Sequence, residues 1–357
     1  MKKHLCYLAA AVVAMSSCTE SEVVEISQSK AIGFDGYVGN MARAEQVGLT
    51  KDNLAEFYAF GAYTTTDKTT PVFIFDGKPS GSSHIKKHGT NWQYAPVNYW
   101  LEGALYKFAA YAPALDKVPT FDYATNKMKI EGFKATGTKD LLIAATTQNG
   151  ITALKESNPG VGLNFKHALS KVRFTITDDW RNELNMSVED VILTGVKGVG
   201  TLTTPTDLSV LTNLPLDMWS ISADAGITQP TYQDIKGTDS SPLKNNGEKY
   251  IFENFLLPQK ITDNQMSLTF TVSVTNNFGG GPIIGDDTNP HTKTLKVTIP
   301  NDAYNSWTPG NSYNYILKIN GATFGLQTIY FDNIEVSDWT KEEDKEIETE
   351  DLVSPAN

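Results

Sequence analysis

Histidine and aspartate side chains are the first candidates for chemistry in this sequence, and their spacing argues against a metal site. His84 and His88 lie four residues apart, which on a helix would place both imidazoles on one face as metal ligands. We instead place both in a Gly/Ser loop beside Lys86 and Lys87, whose charges oppose a bound cation. The pairs Asp178-Asp179 and Asp286-Asp287 lack the spacing of a calcium loop, so we interpret them as turn formers. The sequence therefore predicts neither a metal site nor a cofactor.

Sequence motifs of catalysis are also missing. The chain contains no Gly-x-Ser-x-Gly elbow, no phosphate-binding Gly loop and no His-Glu-x-x-His. His167 lies in an apolar strand context, and we interpret it as a core or interface histidine rather than a base. A hydrolase would need carboxylates that converge in a cleft, which a sequence cannot test. We predict no catalytic residue and no enzymatic activity.

Cys18 is the side chain with the clearest predicted chemistry. It follows a basic start and an apolar stretch, Leu5–Met15, of 11 residues, which is too short to span about 30 Å of hydrocarbon. The small residues Ser16-Ser17 before the cysteine resemble a bacterial lipobox, in which cysteine becomes the acylated first residue of the mature chain. Each buried CH₂ of an acyl chain contributes ~0.8 kcal/mol, so several chains anchor stably. We predict a signal peptide over residues 1–17 and an outer-membrane lipid anchor on Cys18.

Charge and cysteine content restrict the partners further. The net charge is −11 and only three arginines occur, Arg43, Arg173 and Arg181, so the chain is poorly suited to bind nucleic acid. The two cysteines, Cys6 and Cys18, both belong to the predicted leader region. The rest of the exported chain therefore has no disulfide, and its stability must come from packing and hydrogen bonds.

Strands must position whatever site the chain has, because its apolar residues alternate with a period of two. Leu268, Phe270, Val272 and Val274 share one parity, which predicts a strand with one buried and one exposed face. Many similar runs are separated by Gly, Pro, Asn and Asp clusters, and the best short helix candidate is Lys51–Phe57. The pattern predicts an all-β fold with β-sandwiches.

Sandwich domains of about 100 residues each would fit the chain as a tandem pair. Asn158-Pro-Gly-Val-Gly interrupts the strand pattern, so we place a domain boundary near residue 160. The predicted segments are a tether with the first strand (18–43), an N-terminal sandwich (44–160), a C-terminal sandwich (161–340) and an acidic, solvated tail (341–357).

Aromatic side chains offer an alternative function. Six rings are concentrated in one stretch: Trp92, Tyr94, Tyr99, Trp100, Tyr106 and Phe108. Sugar-binding faces use such rings, whereas sandwich cores use them more often. We therefore assign these rings to the core and keep a glycan-binding surface lipoprotein as the second hypothesis.

An ordered set of short motifs resembles the fimbrillin family, the subunits and accessory proteins of type V pili. They begin at Cys18 and at Met41-Ala-Arg-Ala44, and each alone is weak. The others are Ala31–Phe34, Asn98–Trp100, Tyr106–Pro113, Lys139–Ala144, Leu163–Val172, Phe255–Gln259, Trp307–Tyr313 and Val336–Trp339.

The resemblance implies two tandem transthyretin-like β-sandwich domains in a surface lipoprotein that assembles with other pilus subunits by strand exchange. In polymerising members a protease cuts after an arginine behind the first strand, and a neighbour's strand fills the groove. The matching residues here are Arg43 and Ala44. The departing strand would use the apolar side chains Val23, Val24, Ile26, Ile32 and Phe34.

Three roles remain open within that family: stalk, tip and anchor. The C-terminal segment Lys341–Asp351 is too charged to fill an apolar groove along its length, which counts against a stalk subunit. The predicted partners are other pilus subunits, outer-membrane lipid through Cys18, and a host protein or glycan if the protein is adhesive.

Overall fold

A computed structural model describes twelve stretches of the chain. They are residues 30–38, 48–50, 52–150, 160–178, 184–206, 208–221, 232–236, 249–261, 266–276, 292–301, 304–319 and 331–338.

Strands make up most of the described chain. The first eleven are β1 Gly33–Val38, β2 Glu56–Thr64, β3 Val72–Asp76, β4 His84–His88, β5 Asn91–Gln93, β6 Leu105–Ala112, β7 Thr120–Asp122, β8 Lys127–Lys134, β9 Leu142–Asn149, β10 Gly160–His167 and β11 Ser170–Asp178. The other eleven are β12 Leu184–Lys197, β13 Val199–Thr203, β14 Trp219–Ser220, β15 Tyr232–Lys236, β16 Lys249–Leu256, β17 Gln259–Lys260, β18 Ser267–Asn276, β19 Thr292–Thr298, β20 Ser306–Trp307, β21 Asn311–Ile319 and β22 Phe331–Asp338. Short 3₁₀ turns cover Gly81–Ser83 and Leu216–Met218. The predicted all-β fold is confirmed.

An eight-stranded sheet holds the N-terminal part of the chain. Its order is β1-β10-β9-β6-β2-β4-β5, with β3 paired to β2 outside that path. The strands β1 and β5 at its two ends contact each other, so the sheet curls around a core of rings and aliphatic side chains, the first core. Gly61 makes room for this packing, because a Cβ there would meet the Phe75 ring at 2.7 Å and the Phe108 ring at 2.8 Å.

A four-stranded sheet, β14-β13-β8-β7, covers the outer face of the curled sheet. The second core lies between them and includes Tyr111, Leu141, Leu202 and Trp219. Tyr111 is fixed inside it by a hydrogen bond from its hydroxyl to the Gly77 carbonyl, 2.8 Å long. Strands from both halves of the sequence thus share one layer.

Two further four-stranded sheets form a sandwich from the C-terminal half. Their orders are β16-β11-β21-β22 and β15-β12-β18-β19, and they enclose the third core. Leu268, Phe270 and Val272 point into that core, as their shared parity predicts. Trp307 is fully buried there and donates a hydrogen bond to the Tyr315 hydroxyl at 2.9 Å.

A buried ionic cluster lies where β11 pairs with β16. The Glu253 carboxylate contacts Lys171 Nζ at 3.0 Å and also pairs with Arg173. Burial lowers the pKa of Lys171 to about 8, and the neighbouring Arg173 adds to the effect. The Lys171 ammonium also lies 5.8 Å from the centroid of the Phe255 ring, within the range of a cation–π contact.

Two local expectations differ from the structure. Lys51–Phe57 is not a helix: the Leu54 amide closes a single turn onto the Thr50 carbonyl, and β2 begins at Glu56. The strand forms because the first core takes the Phe57 ring, which pairing with Ile85 of β4 fixes in place. His84 and His88 lie on strand β4 rather than in a loop.

Strand pairing does not divide the chain at residue 160. Strand β10 starts there and joins the N-terminal sheet, and β13 and β14 pair with β8 of the N-terminal half. The chain passes to the C-terminal sandwich between His167 and Ser170. The number and limits of domains stay a prediction.

Candidate functional site

The first strand occupies a groove with partners on both sides. Along Gly33–Val38 it pairs in parallel with β10, from Gly33 opposite Gly160 to Val38 opposite Phe165. Just before it, the Ile32 amide donates to the Asn98 carbonyl, and the Trp100 amide donates to the Lys30 carbonyl, both at 2.9 Å. Its backbone thus completes hydrogen bonds of two separate segments.

Side chains of the first strand fill the first core. Ile32 is 1% exposed and Phe34 is 5% exposed. Phe34 makes edge-to-face contacts with four rings at centroid distances of 5.4–6.3 Å; they are Phe57, Phe75, Tyr94 and Phe108. Burying an apolar side chain of this size contributes about 2–3 kcal/mol, so these two residues anchor the strand.

Glycines allow the close fit between β1 and β10. Gly33 lies opposite Gly160, and a Cβ on Gly160 would come within 2.3 Å of an Asp35 carboxylate oxygen. Asp35 itself is exposed. The strand therefore presents Phe34 to the core and a carboxylate to solvent, as its alternation requires.

Tyr94 holds the first strand from the side of β5. Its hydroxyl donates to the Ile32 carbonyl at 2.7 Å and accepts from the Asn98 amide at 3.2 Å. Its ring packs edge-on against Phe34 and Phe75. The sequence places Tyr94 in the aromatic stretch but does not reveal this role, because only the fold brings it to Ile32.

We expect Tyr94→Phe to loosen the first strand without unfolding the protein. Loss of the hydroxyl removes the bond to Ile32, a change worth about 1 kcal/mol. Hydrogen exchange of the amides at residues 30–34 should rise, and the melting temperature should fall by a few degrees. Tyr63→Phe is the control, since its ring packs on Tyr106 in the same core. Equal exchange in both variants would contradict the role of Tyr94.

Alkaline pH should destabilise the fold through its buried tyrosines. Burial raises the pKa of Tyr94 and of Tyr111 from 10.0 to about 12. Between these values the unfolded chain loses phenolic protons that the folded chain keeps, so stability present below pH 10 falls as the pH rises to about 12. Chemical denaturation at pH 9.5 and 11.5 measures the loss, and Tyr111→Phe should reduce it. A pH-independent midpoint would contradict this assignment.

Asp140 anchors the part of the chain that follows the predicted cleavage position. Its carboxylate accepts hydrogen bonds from the amides of Leu49 (3.0 Å) and Leu141 (2.8 Å). His167 Nδ1 lies 2.8 Å from the same carboxylate, and both side chains are buried. The interpretation of His167 as a core histidine is confirmed. This anchor fixes residues 48–50 independently of the first strand.

The predicted site residues fall into two groups. Ile32 and Phe34 lie together in the groove. Cys18, Val23, Val24, Ile26, Arg43 and Ala44 lie outside the described residues. The sequence did not reveal the roles of Tyr94 and Asp140, which bind Ile32 and Leu49, the described residues before and after the predicted cleavage position.

Most of the concentrated aromatic rings are structural. Trp100, Tyr106 and Phe108 are buried in the first core, and Trp92 and Tyr94 pack against it. Tyr99 is the exception, with 54% of its surface exposed. The assignment of these rings to the core is confirmed except at Tyr99.

Two open clefts accompany these elements. One, of about 380 Å³, lies beside β4 and β5 and is lined by His84, Lys86, His88 and Gln93. His84 is tied to Glu56, with Nε2 2.8 Å from the carboxylate. A second, of about 540 Å³, is lined by amides and hydroxyls of the C-terminal sandwich, including Asn305, Thr308 and Tyr304.

The described stretches show neither a metal-binding cluster nor a membrane-spanning helix. Within them, no group of three or more His, Cys, Asp or Glu side chains is arranged to hold a metal ion. In the same stretches no helix has the length and apolar character needed to cross a membrane.

One solved structure shares the fold of this chain, and others resemble it at lower TM-scores. A fimbrial protein from Bacteroides vulgatus matches with a TM-score of 0.55 at 16% identity, over 87% of this chain and 99% of its own. A candidate cell adhesion protein from Bacteroides uniformis has a TM-score of 0.46 at 16% identity, over 87% of this chain and 98% of its own. Another from Bacteroides ovatus has a TM-score of 0.46 at 15% identity, over 88% and 99%. The chain thus has the β-sheet fold of a fimbrial protein.

The family follows from the sequence match. The fimbrillin-like family model matches residues 42–339. The chain belongs to the fimbrillin-like family, as the ordered motifs predicted. Comparison with curated proteins finds no match. Membership supports a structural, adhesion-type protein associated with a surface fimbrium.

Proposed function

We propose that this protein is a non-enzymatic subunit of a surface fimbrium that assembles by strand exchange. The first strand would leave after cleavage between Arg43 and Ala44, and a strand from a neighbouring subunit would take its place. The main support is the position of Ile32 and Phe34. Both side chains are buried in a groove, and the backbone around them bonds to segments on both sides.

The physical driving force is the completion of a sheet. Without its first strand, the groove would expose backbone groups of β10 and of residues 98–100 together with the rings around Phe34. An incoming apolar strand satisfies both needs at once. The hydrogen bond from Leu49 to Asp140 supports departure of the first strand alone, because the chain that follows Ala44 has its own attachment to the fold.

Limited digestion of the exported chain with an arginine-specific protease tests this step. We expect a new N-terminus at Ala44, release of the segment that ends at Arg43, and short ladders on a denaturing gel. Arg43→Lys is the control, since it keeps the charge and removes the cleavage site. A chain that is cut but keeps the upstream segment and stays monomeric would refute strand exchange.

We also propose that acyl chains on Cys18 attach the protein to the outer membrane. The lipobox-like residues before Cys18 support this anchor. Membrane fractionation of cells that carry Cys18→Ser is the test, and we expect the variant to leave the membrane fraction. Unchanged membrane association of the variant would reject the anchor.

The acidic C-terminal segment favours a tip or anchor role over a stalk role. A stalk subunit must supply an apolar strand to its neighbour, and Lys341–Asp351 is densely charged. Mixing the cleaved chain with intact copies tests the assignment. A tip or anchor subunit should accept a donor strand and give short products, whereas long ladders would indicate a stalk.

Glycan binding is the second candidate, and the 540 Å³ cleft of the C-terminal sandwich favours it. Its lining of three asparagines, a serine, a threonine and two tyrosines offers amide and hydroxyl partners beside aromatic rings. Such groups suit neutral sugars. A glycan array with Asn305→Ala and Tyr304→Ala variants tests this candidate. An array without a hit removes it and leaves the fimbrial role intact.

A further inference from the structure

Strand β4 presents three basic side chains to one open cleft. Its alternation sends Ile85 into the first core, whereas His84, Lys86 and His88 share the other face of the strand and line the 380 Å³ cleft. At about 3.3 Å per residue the two histidines are about 13 Å apart along the strand, with Lys86 between them. They are therefore too far apart to share a metal ion, and they form a row of polar groups instead.

Pairing with the neighbouring strands completes this polar row. Lys86 lies opposite Gln93 of β5 on one side and opposite Glu56 of β2 on the other. Gln93 also lines the cleft. An ammonium, two imidazoles and an amide thus surround a volume that lies within the range of small-molecule sites.

Lys86 and His88 have donors that a ligand could use. Both side chains are exposed, and among the described residues neither makes a side-chain hydrogen bond or an ion pair. The neighbouring carboxylate, Glu56, is already engaged, because one oxygen lies 2.8 Å from His84 Nε2 and the other accepts a hydrogen bond from the Tyr58 hydroxyl at 2.9 Å. Lys86 attracts Glu56 only at longer range, so its ammonium keeps its three N–H donors for a ligand.

We propose that this cleft binds an acidic sugar, with the sugar carboxylate held by Lys86 and His88 and the sugar hydroxyls held by Gln93. A hydrogen bond from an ammonium to a carboxylate is about twice as strong as one between neutral groups. The amide and the second imidazole add partners for several hydroxyls, which a bare anion does not have.

The acidic character of the whole chain does not prevent this binding. The net charge of −11 repels anions at a distance, but salt screens charges beyond about 8 Å at physiological ionic strength. The groups that line the cleft therefore determine what it binds. This inference goes beyond the proposed fimbrial role by adding recognition of acidic glycans, and it does not require the first strand to leave.

A titration of the full exported chain with D-glucuronate and D-glucose, followed by ligand-observed NMR, tests the cleft. The two sugars differ only in the carboxylate at C6, and we expect glucose to bind about tenfold more weakly or less. Lys86→Gln should weaken glucuronate binding by about tenfold, since it removes one charge-assisted contact. Lys134→Gln is the matched control, because Lys134 is an exposed lysine at the end of β8 in another sheet. It should bind glucuronate as the wild type does.

Each alternative outcome overturns a defined part of the inference. Equal affinity for glucuronate and glucose would refute the need for an anion, and equal affinity for glucuronate and inorganic sulfate would refute the sugar. No binding by the wild type, or unchanged binding by a folded Lys86→Gln variant, would refute the site. Tyr304→Ala alters the 540 Å³ cleft and should leave glucuronate binding unchanged, whereas a loss there would move the site to that cleft. None of these results bears on the protease test of strand exchange.

Discussion

Phe34→Ala is expected to lower the free energy of unfolding by about 3–5 kcal/mol, the range for removing a buried aromatic ring. The reason is local. Phe34 is 5% exposed and has edge contacts with rings on four other segments, so its loss leaves a cavity that those rings cannot close. A loss below 1 kcal/mol in urea denaturation would show that the first strand contributes little to the core.

The same substitution should speed the proposed strand exchange. A first strand that is held less tightly leaves sooner after cleavage, so ladders from Phe34→Ala should appear earlier than wild-type ladders. Asp35→Ala is the control, because Asp35 is the next residue of the strand and its side chain is exposed. Its stability and ladder kinetics should stay close to those of the wild type. Slower ladders from Phe34→Ala would argue against departure of this strand.

Glu253→Ala is expected to cost about 3–5 kcal/mol, as for other buried charge pairs that lose one partner. The substitution leaves Lys171 and Arg173 close together without their shared carboxylate. Lys171 is 2% exposed and cannot regain water without opening the pairing of β11 with β16. Glu253 raises the pKa of Lys171, so the amine of the variant becomes neutral at a lower pH than the wild-type amine, whose pKa burial lowers to about 8. The loss should therefore shrink as the pH rises towards 8 and change little above it.

A surface carboxylate with the same arrangement provides the control for Glu253. Glu131 contacts Lys117 Nζ at 2.6 Å and Lys129 Nζ at 2.8 Å, but the three side chains are solvated. Glu131→Ala should leave the denaturation midpoint nearly unchanged, since water screens exposed ion pairs. Similar losses in the two variants would show that burial does not determine the contribution of the Glu253 cluster.

Local sequence patterns were enough to predict many strands. They failed where contacts with residues distant in the sequence determine the secondary structure. The parity of Leu268, Phe270 and Val272 predicted both the strand and its buried face. Lys51–Phe57 has a capping threonine nearby, yet only one turn forms because the first core requires Phe57 in a strand. His84 and His88 were assigned to a loop from their Gly/Ser neighbours, whereas pairing with β2 and β5 makes that segment a strand.

The candidate site was predictable only in part. Its apolar members, Ile32 and Phe34, stand in a motif that resembles the family, so the sequence could identify them. The residues that hold this strand could not be found in the same way. Tyr94 is one of 15 tyrosines and Asp140 one of many carboxylates, and their roles depend on partners 62 and 91 residues away.

The sequence by itself determined the class of this protein: a period-two pattern fixes β-structure, and ordered motifs identify the fimbrillin-like family. Only the tertiary structure decided which strands are neighbours. The parallel pairing of β1 with β10 and the layer shared by β8 and β13 join segments more than 60 residues apart. Alternation specifies which face of a strand is buried, but pairing depends on the backbone and on the shapes of side chains that meet only in the folded chain.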